Sequence, residues 1–167
     1  MAKDRPGKGF WMERTLVVVK PDGVQRRLVG RILTRFEEKG LKLVGLKLMQ
    51  VDLALARRMY IEHEGKDFYP RLVEFVTSSP VAAMVLEGKE VVSVVRGMVG
   101  PTFGPDAPPG TIRGDFGLSR RYNLVHASDS VASAEREIVT FFEPAELLDY
   151  TMDGDGWVYD MSTQPPT

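Results

Sequence analysis

Few side chains in this 167-residue chain can do chemistry, because it contains no cysteine and two histidines, His63 and His126. Without cysteine there are no disulfides, no thiolate-held zinc or iron–sulfur cluster and no thiol nucleophile. Two histidines are too few for a multi-histidine metal centre. Any metal is therefore expected to be a hard cation held by oxygens, Mg²⁺ first among them. His126 is the most suggestive residue. It ends the apolar run Leu124-Val125 and precedes Ser128-Asp129-Ser130, a group able to cap a helix. An imidazole beside hydroxyls and a helix N-terminus sits where an arriving anion is favoured. A partly buried structural histidine fits the same pattern.

Three other places could meet phosphate. Lys20, ahead of Pro21-Asp22-Gly23, closes the run Thr15–Val19 and offers a point charge at a strand end; a plain turn with an exposed lysine reads equally. Arg113 stands between Gly110 and Gly114 in an irregular stretch, as a rigid fork for phosphate oxygens or as a solvated partner of Asp115. Arg96, taken alone, is a surface charge on a helix. Phe68 and Tyr60 fit helical core stripes, although an aromatic at a cleft mouth can stack on a nucleic acid base of any kind. No Walker loop is present: Gly7-Lys8, Gly65-Lys66 and Gly88-Lys89 are followed by Gly, Asp and Glu.

The elements that must carry these residues follow from periodicity. Thr15–Lys20 reads as a buried strand, and Leu28, Ile32, Leu33 and Phe36 as a helix ended by Gly40. Residues 41–48 alternate as a half-buried strand. Their apolar parity switches across Gly45, so a β-bulge there would keep both sets inward. Asp52 caps a helix running to about Glu62, and a second short helix contains Phe68, Leu72, Phe75 and Val76. Val81–Leu86 is a third strand, followed by a helix through Val99. Pro101–Gly110, with six Pro or Gly in ten residues, is a loop. Leu124–His126 is a short strand, and Val131–Phe142 a helix buried along Val131, Ala134, Ile138 and Phe141. The predicted fold is α+β: a ferredoxin-like βαββαβ sandwich, an antiparallel sheet with helices on one face. The composition, 43% hydrophobic and 27% charged with a net charge of -1, suits a soluble globular domain and offers no broad polyanion-binding surface.

Three segments together resemble the nucleoside diphosphate kinases: Glu13-Arg-Thr-Leu-Val-Val-Val-Lys-Pro-Asp-Gly23, Gly110-Thr-Ile-Arg-Gly-Asp-Phe116 and Asn123-Leu-Val-His-Ala-Ser-Asp-Ser130. They stand in the family's order, and the resemblance runs from about Glu13 to Tyr159. It implies ping-pong transfer of the γ-phosphate of a nucleoside triphosphate, typically ATP, to a nucleoside diphosphate, through a phosphohistidine, which maintains nucleoside triphosphate pools. The matching positions make His126 the nucleophile through Nδ1 and Glu137 the carboxylate that orients its ring. Lys20 contacts phosphates and the ribose 3′-hydroxyl, while Arg96, Thr102 and Arg113 grip phosphate. Asn123 binds ribose, Phe68 stacks on the base, and Tyr60 lies near the nucleophile. Mg²⁺ bridges the nucleotide phosphates with no direct protein ligand, Asp129 helping through water.

Three departures from the family pattern stand out: Ala127 for glycine, Arg120 where an apolar residue packs the far face of the base, and Gly104 for a loop proline. Residues 1–12 are expected to be an N-terminal extension and 13–167 one domain with its C-terminal tail. That tail, with Trp157-Val-Tyr159, resembles the hexameric members, so a homo-hexamer is favoured over a tetramer. No apolar leader or membrane-length run is found, which makes the cytoplasm the expected location and a membrane an unexpected partner. Two rival readings differ in class. One is an RNA-binding sheet, for which the paired-aromatic pattern is missing, so no dedicated nucleic-acid site is expected. The other is an inactive nucleotide-binding or interaction module of the same family, against which the retained site residues argue.

Overall fold

The computed structural model of the protein describes residues 12–163 and 165–167. The expected N-terminal extension lies outside the described residues except for Met12, which already belongs to the first strand. Four strands form one antiparallel sheet in the order β2-β3-β1-β4: β1 Met12–Val19, β2 Lys42–Met49, β3 Val81–Lys89 and β4 Val125–Ala127. Together with the helices α2 Val29–Glu38 and α5 Val91–Val99 between strands, this is the ferredoxin-like βαββαβ order.

Helices cover both faces of the sheet, not one as the pattern suggested. Leu16, Val17, Val18 and Val19 are all fully buried, as are Val81 and Ala83 to Leu86, so neither face of the two central strands meets water. An unbroken apolar run, instead of strict alternation, is the signature of a strand buried on both sides. Val17, Val19 and Met84 pack with Ile32 and Phe36 of α2 and Val91, Val95 and Val99 of α5. On the opposite face Leu16, Val18 and Val85 pack with three further helices: α3 Leu53–Met59, α4 Tyr69–Thr77 and α7 Val131–Phe141. Each fully buried Leu, Val or Phe contributes about 1.5–3 kcal/mol relative to exposure.

Local chemistry sets the element ends. Asp52 caps α3 through a 2.7 Å bond from the Leu55 N–H, but α3 stops at Met59 and a 3₁₀ turn, Ile61–His63, replaces its expected last turn. Gly40, with φ +88, ends α2 as predicted. Pro21-Asp22-Gly23, expected as a turn, begins the short helix α1, Pro21–Gln25, with Pro21 in its first turn. The bulge in β2 is present, with Val44 the extra residue between Leu43 and Gly45; the Val44 carbonyl accepts from the Leu148 N–H at 2.8 Å. Leu46 and Leu48 rejoin the face of Leu43, yet no helix among the described residues covers them and they stay exposed. Beyond α5, Gly104–Asp106 forms a 3₁₀ turn inside the Pro/Gly-rich loop. Arg113 proves to lie in a helix, α6 Ile112–Phe116, capped by Thr111 Oγ1 accepting from the Gly114 N–H at 3.0 Å. The remaining helix, α8 Asp155–Val158, is a single turn in the tail.

Gly104, one of the family departures, has a steric reason. A Cβ there would lie 2.4 Å from the Gly117 carbonyl oxygen, where two backbones cross. Gly30 in α2 has open space around it. Gly104→Ala should therefore destabilise the protein by about 1–3 kcal/mol through forced backbone shifts, while Gly30→Ala should stabilise it by about 0.4–1 kcal/mol. Urea midpoints of the two variants on either side of wild type check this; equal midpoints would contradict it.

Candidate active site

The middle residue of β4 decides where the site lies. Val125 and Ala127 point into the core beneath α2 and α5, so strand alternation turns His126, paired with Val18 of β1, towards α7 on the other face. Glu137 stands midway along α7, and its Oε2 lies 2.8 Å from His126 Nε2. The Ser128 hydroxyl donates to that same oxygen at 2.7 Å. Burial pushes the Glu137 carboxyl upward, but the hydrogen bond and charge of His126 and the Ser128 bond outweigh it and leave it below the usual value. An ionised carboxylate only accepts, so in the neutral imidazole Nε2 carries the ring proton and Nδ1 keeps its lone pair. Nδ1 makes no hydrogen bond among the described residues, and the ring lines the cleft.

That cleft, of about 830 Å³, is bounded by α7, the α3–α4 pair and the loop after α5. It brings together all ten residues singled out from the sequence: Lys20, Tyr60, Phe68, Arg96, Thr102, Arg113, Asn123, His126, Asp129 and Glu137. Tyr60 is buried, and its hydroxyl finds no hydrogen-bond partner among the described residues. Burial, then the negative charges of Glu137 and Asp22, raise its phenol far above the ordinary value, so it remains a neutral donor. Phe68 is not a core residue: half its surface is exposed at the start of α4, edge-on to His63 with centroids 5.5 Å apart. The mouth of the cleft thus presents an aromatic face, and its floor presents charge.

The charge at the floor is cationic and mostly unpaired. Lys20 is buried, with Nζ 2.9 Å from Asn123 Oδ1; burial first, then the Arg113 charge, lower its ammonium to about 8, with Asp22 pulling it back up. The Arg113 guanidinium donates to three backbone carbonyls, Nε to Asn123 at 3.1 Å, one terminal nitrogen to Gly100 at 3.0 Å and the other to Val125 at 2.6 Å. Burial and the neighbouring Arg96 charge lower it to about 10. Asn123 Nδ2 donates to the Thr102 carbonyl at 3.0 Å. Arg96 and Thr102 are exposed at the end of α5 and just beyond it. Arg120 bridges to Asp106 at 3.0 Å and lies over the Phe103 ring on the rim. Ala127, the departure beside His126, is buried in the core beneath α2 and α5.

Two contributors escaped sequence reasoning. Within the expected Ser128-Asp129-Ser130 cap, Ser130 caps α7, accepting from the Ser133 N–H at 3.1 Å, while Ser128 donates to Glu137. Asp22, assigned to a turn, accepts from the Leu124 N–H at 3.0 Å. Ser128 sits two residues after His126, on the same side of the strand, and that parity was an available signal. No cluster of three or more His, Asp and Glu able to hold a metal occurs among the described residues.

A sequence model of the nucleoside diphosphate kinase family matches residues 13–147. The chain belongs to that family. It is 57% identical over 149 residues to the nucleoside diphosphate kinase of Gloeobacter violaceus, covering 89% of this chain and all of that one. It is likewise 57% identical over 151 residues to that of Chloroflexus aggregans, with 89% and 100% covered. Its fold matches the halophilic nucleoside diphosphate kinase of Halobacterium salinarum in complex with CDP at a TM-score of 0.87 and 53% identity, covering 88% of this chain and 98% of that one. The Borrelia burgdorferi nucleoside-diphosphate kinase, solved as a transition state mimic with vanadate and ADP, matches at 0.82 and 39% identity, with 87% and 95% covered.

Because Arg113 ties three carbonyls as well as carrying charge, a lysine cannot replace it. Arg113→Lys keeps the cation but not the fork, and should lower kcat/KM for phosphoryl transfer by about 10²–10³, as loss of a preorganised donor does. It should also lower the melting temperature. Steady-state assays beside thermal melts test this, and a variant within twofold or so of wild type would show that charge alone suffices.

Proposed function

We propose that this chain moves the terminal phosphate of a nucleoside triphosphate to a nucleoside diphosphate in two half-reactions, through phosphate carried on His126 Nδ1. The observation that carries this reading is the 2.8 Å bond from His126 Nε2 to Glu137, which leaves Nδ1 as the nitrogen with a free lone pair at the cleft. In the first half-reaction that lone pair attacks the γ-phosphorus, an N–P bond forms, and the bond from phosphorus to the bridging oxygen of the leaving diphosphate breaks. The positive charge that develops on the ring is stabilised through Nε2–H by the Glu137 carboxylate. In the second half-reaction a diphosphate oxygen of the acceptor attacks the same phosphorus, and the electron pair returns to Nδ1.

Phosphoryl transfer through a loose transition state asks for in-line placement and distributed positive charge. Lys20, Arg96 and Arg113 are placed to supply that charge, and Thr102 a hydroxyl. Asn123, whose Oδ1 already accepts from Lys20, is suited to the ribose together with that lysine. Phe68 at the mouth suits any base, since stacking reads no hydrogen-bond edge. Tyr60 contributes a neutral hydroxyl beside the nucleophile. Mg²⁺ fits as a cation that arrives with the phosphates: of the cleft carboxylates Glu62 is paired with Arg136 and Glu137 with His126, which leaves the exposed Asp129 and hydroxyls as donors. The Ser133 and Ser130 hydroxyls beside Asp129 help keep it ionised, which suits a contact through water. When bound, the ion would neutralise phosphate charge.

Homo-oligomerisation is supported by the apolar side chains Leu46, Leu48 and Trp157, which this chain leaves exposed, and the preference for a hexamer over a tetramer rests on the resemblance of the tail with Trp157-Val-Tyr159 to the hexameric members. No helix among the described residues is long and apolar enough to cross a membrane; the cytoplasm is proposed as the place of work.

The carrying observation is tested by incubating the protein with γ-labelled ATP and Mg²⁺ and following acid-labile, alkali-stable label. His126→Ala should take none while keeping its circular dichroism spectrum. Glu137→Gln should be labelled about 10–100-fold more slowly in a single turnover, as for other partners that orient a histidine. Stable label on His126→Ala, or wild-type speed in Glu137→Gln, would contradict the scheme.

A further inference from the structure

The residue two places before His126 is held in a conformation its side chain disfavours. Leu124 is fully buried and has φ +69. The Val125 N–H donates to the Asn123 carbonyl at 2.8 Å, closing a three-residue γ-turn around Leu124. The positive-φ form of that turn is rare and strained, and for a bulky residue it persists only where neighbouring groups enforce it. The turn joins Asn123, on the Lys20 side of the cleft, to His126 in β4.

The groups that enforce it come from one tetrapeptide, Lys20-Pro21-Asp22-Gly23. The Lys20 N–H donates to the Leu124 carbonyl at 2.8 Å. From the other side, Asp22 Oδ2 accepts from the Leu124 N–H at 3.0 Å. Gly23 allows α1 to lie against this turn, since a Cβ there would come within 3.2 Å of the Leu124 carbonyl oxygen and 2.6 Å of Val19. The second carboxylate oxygen of Asp22 is buried and has no hydrogen-bond partner among the described residues. A buried carboxylate that leaves one oxygen unpartnered is costly, and the bond it does make is to the strained residue.

We propose that Asp22 is a positioning residue for phosphoryl transfer, its carboxylate holding the Leu124 turn so that Asn123 and His126 keep their mutual placement. With Asp22 truncated, the buried Leu124 N–H loses its acceptor. The chain then relieves both that loss and the positive φ by rotating about Leu124, and the rotation swings Asn123 relative to His126. Arg113 limits the swing through its bonds to the Asn123 and Val125 carbonyls, so the fold survives while the site loosens. The inference rests on His126 being the phosphate carrier.

Single-turnover labelling of the full chain with γ-labelled ATP and Mg²⁺, across pH 6 to 10 or so, separates the possibilities. Asp22→Ala should be labelled about 10–100-fold more slowly than wild type at saturating ATP. Asp22→Asn, which keeps an acceptor for the Leu124 N–H but carries no charge, should stay close to wild type. Should Asp22→Ala fail to fold, Asp22→Glu replaces it: the charge remains, the acceptor moves out by one methylene, and slow labelling is again expected. Wild-type rates in Asp22→Ala, or in Asp22→Glu where it stands in, overturn the inference. So does an Asp22→Asn as slow as Asp22→Ala with its alkaline limb moved to lower pH, because the carboxylate would then act by keeping Lys20 charged. Label absent from wild type itself overturns the phosphohistidine reading and this inference with it, whereas a labelled wild type with unaffected Asp22 variants removes only the latter.

Discussion

A buried guanidinium that pairs with no carboxylate among the described residues holds this site in shape. Arg113 reaches the carbonyls of Gly100, Asn123 and Val125, and so gathers the end of α5, the segment before β4 and β4 itself around one cation. Burying such a charge is costly, and hydrogen bonds to a charged donor, worth about 1.5–3 kcal/mol each, offset part of that cost. The three carbonyls come from stretches with no sheet partners of their own apart from the short β4. Asn123 and Thr102 are then positioned by the same set of bonds, since Asn123 Nδ2 meets the Thr102 carbonyl.

Charge is segregated around His126. On the α7 side lies Glu137 with Ser128, and on the side of the loops lie Lys20, Arg113 and Arg96. The carboxylate keeps the ring proton on Nε2, while the cations face the side where a phosphate would arrive. Burial first, then a neighbouring guanidinium, lowers the pKa of both Lys20 and Arg113, and Asp22 offsets only part of this at Lys20. A phosphate group entering the cleft would supply the missing anions, so the same feature that destabilises the empty site favours its occupant. The aromatic mouth at Phe68 is suited to stacking on a base without selecting one.

Much of this was legible in the sequence, and the misses share a cause. The four strands, the bulge in β2 and the helix after His126 follow from periodicity; Lys20, Arg113, Asn123, His126 and Asp129 lie in three short motifs, and the other five cleft residues come from the family resemblance those motifs carry. Coverage of both sheet faces is written in the unbroken run Leu16–Val19, whose lack of alternation marks a strand without a solvent face. Helix α6 was missed because Gly114 and the glycines around it argue against a helix; its Thr111 cap and Arg113 bonds override that propensity. Phe68 matched a core spacing yet lies exposed, since α4 starts one residue later and turns it outward. The bond of Asp22 to Leu124 spans 102 positions along the chain, and no local pattern encodes such a contact. Gly104, odd in the family pattern, became intelligible once Gly117 was seen to cross it.

The central claim is that Glu137 decides which nitrogen of His126 carries phosphate. It is tested most directly by identifying the phosphohistidine isomer: label the protein with ATP and Mg²⁺, digest it in alkali, and distinguish the two ring isomers by ³¹P and ¹⁵N NMR. Phosphate on Nδ1 of His126 is the predicted result. Phosphate on Nε2, the nitrogen now bonded to Glu137, would contradict it.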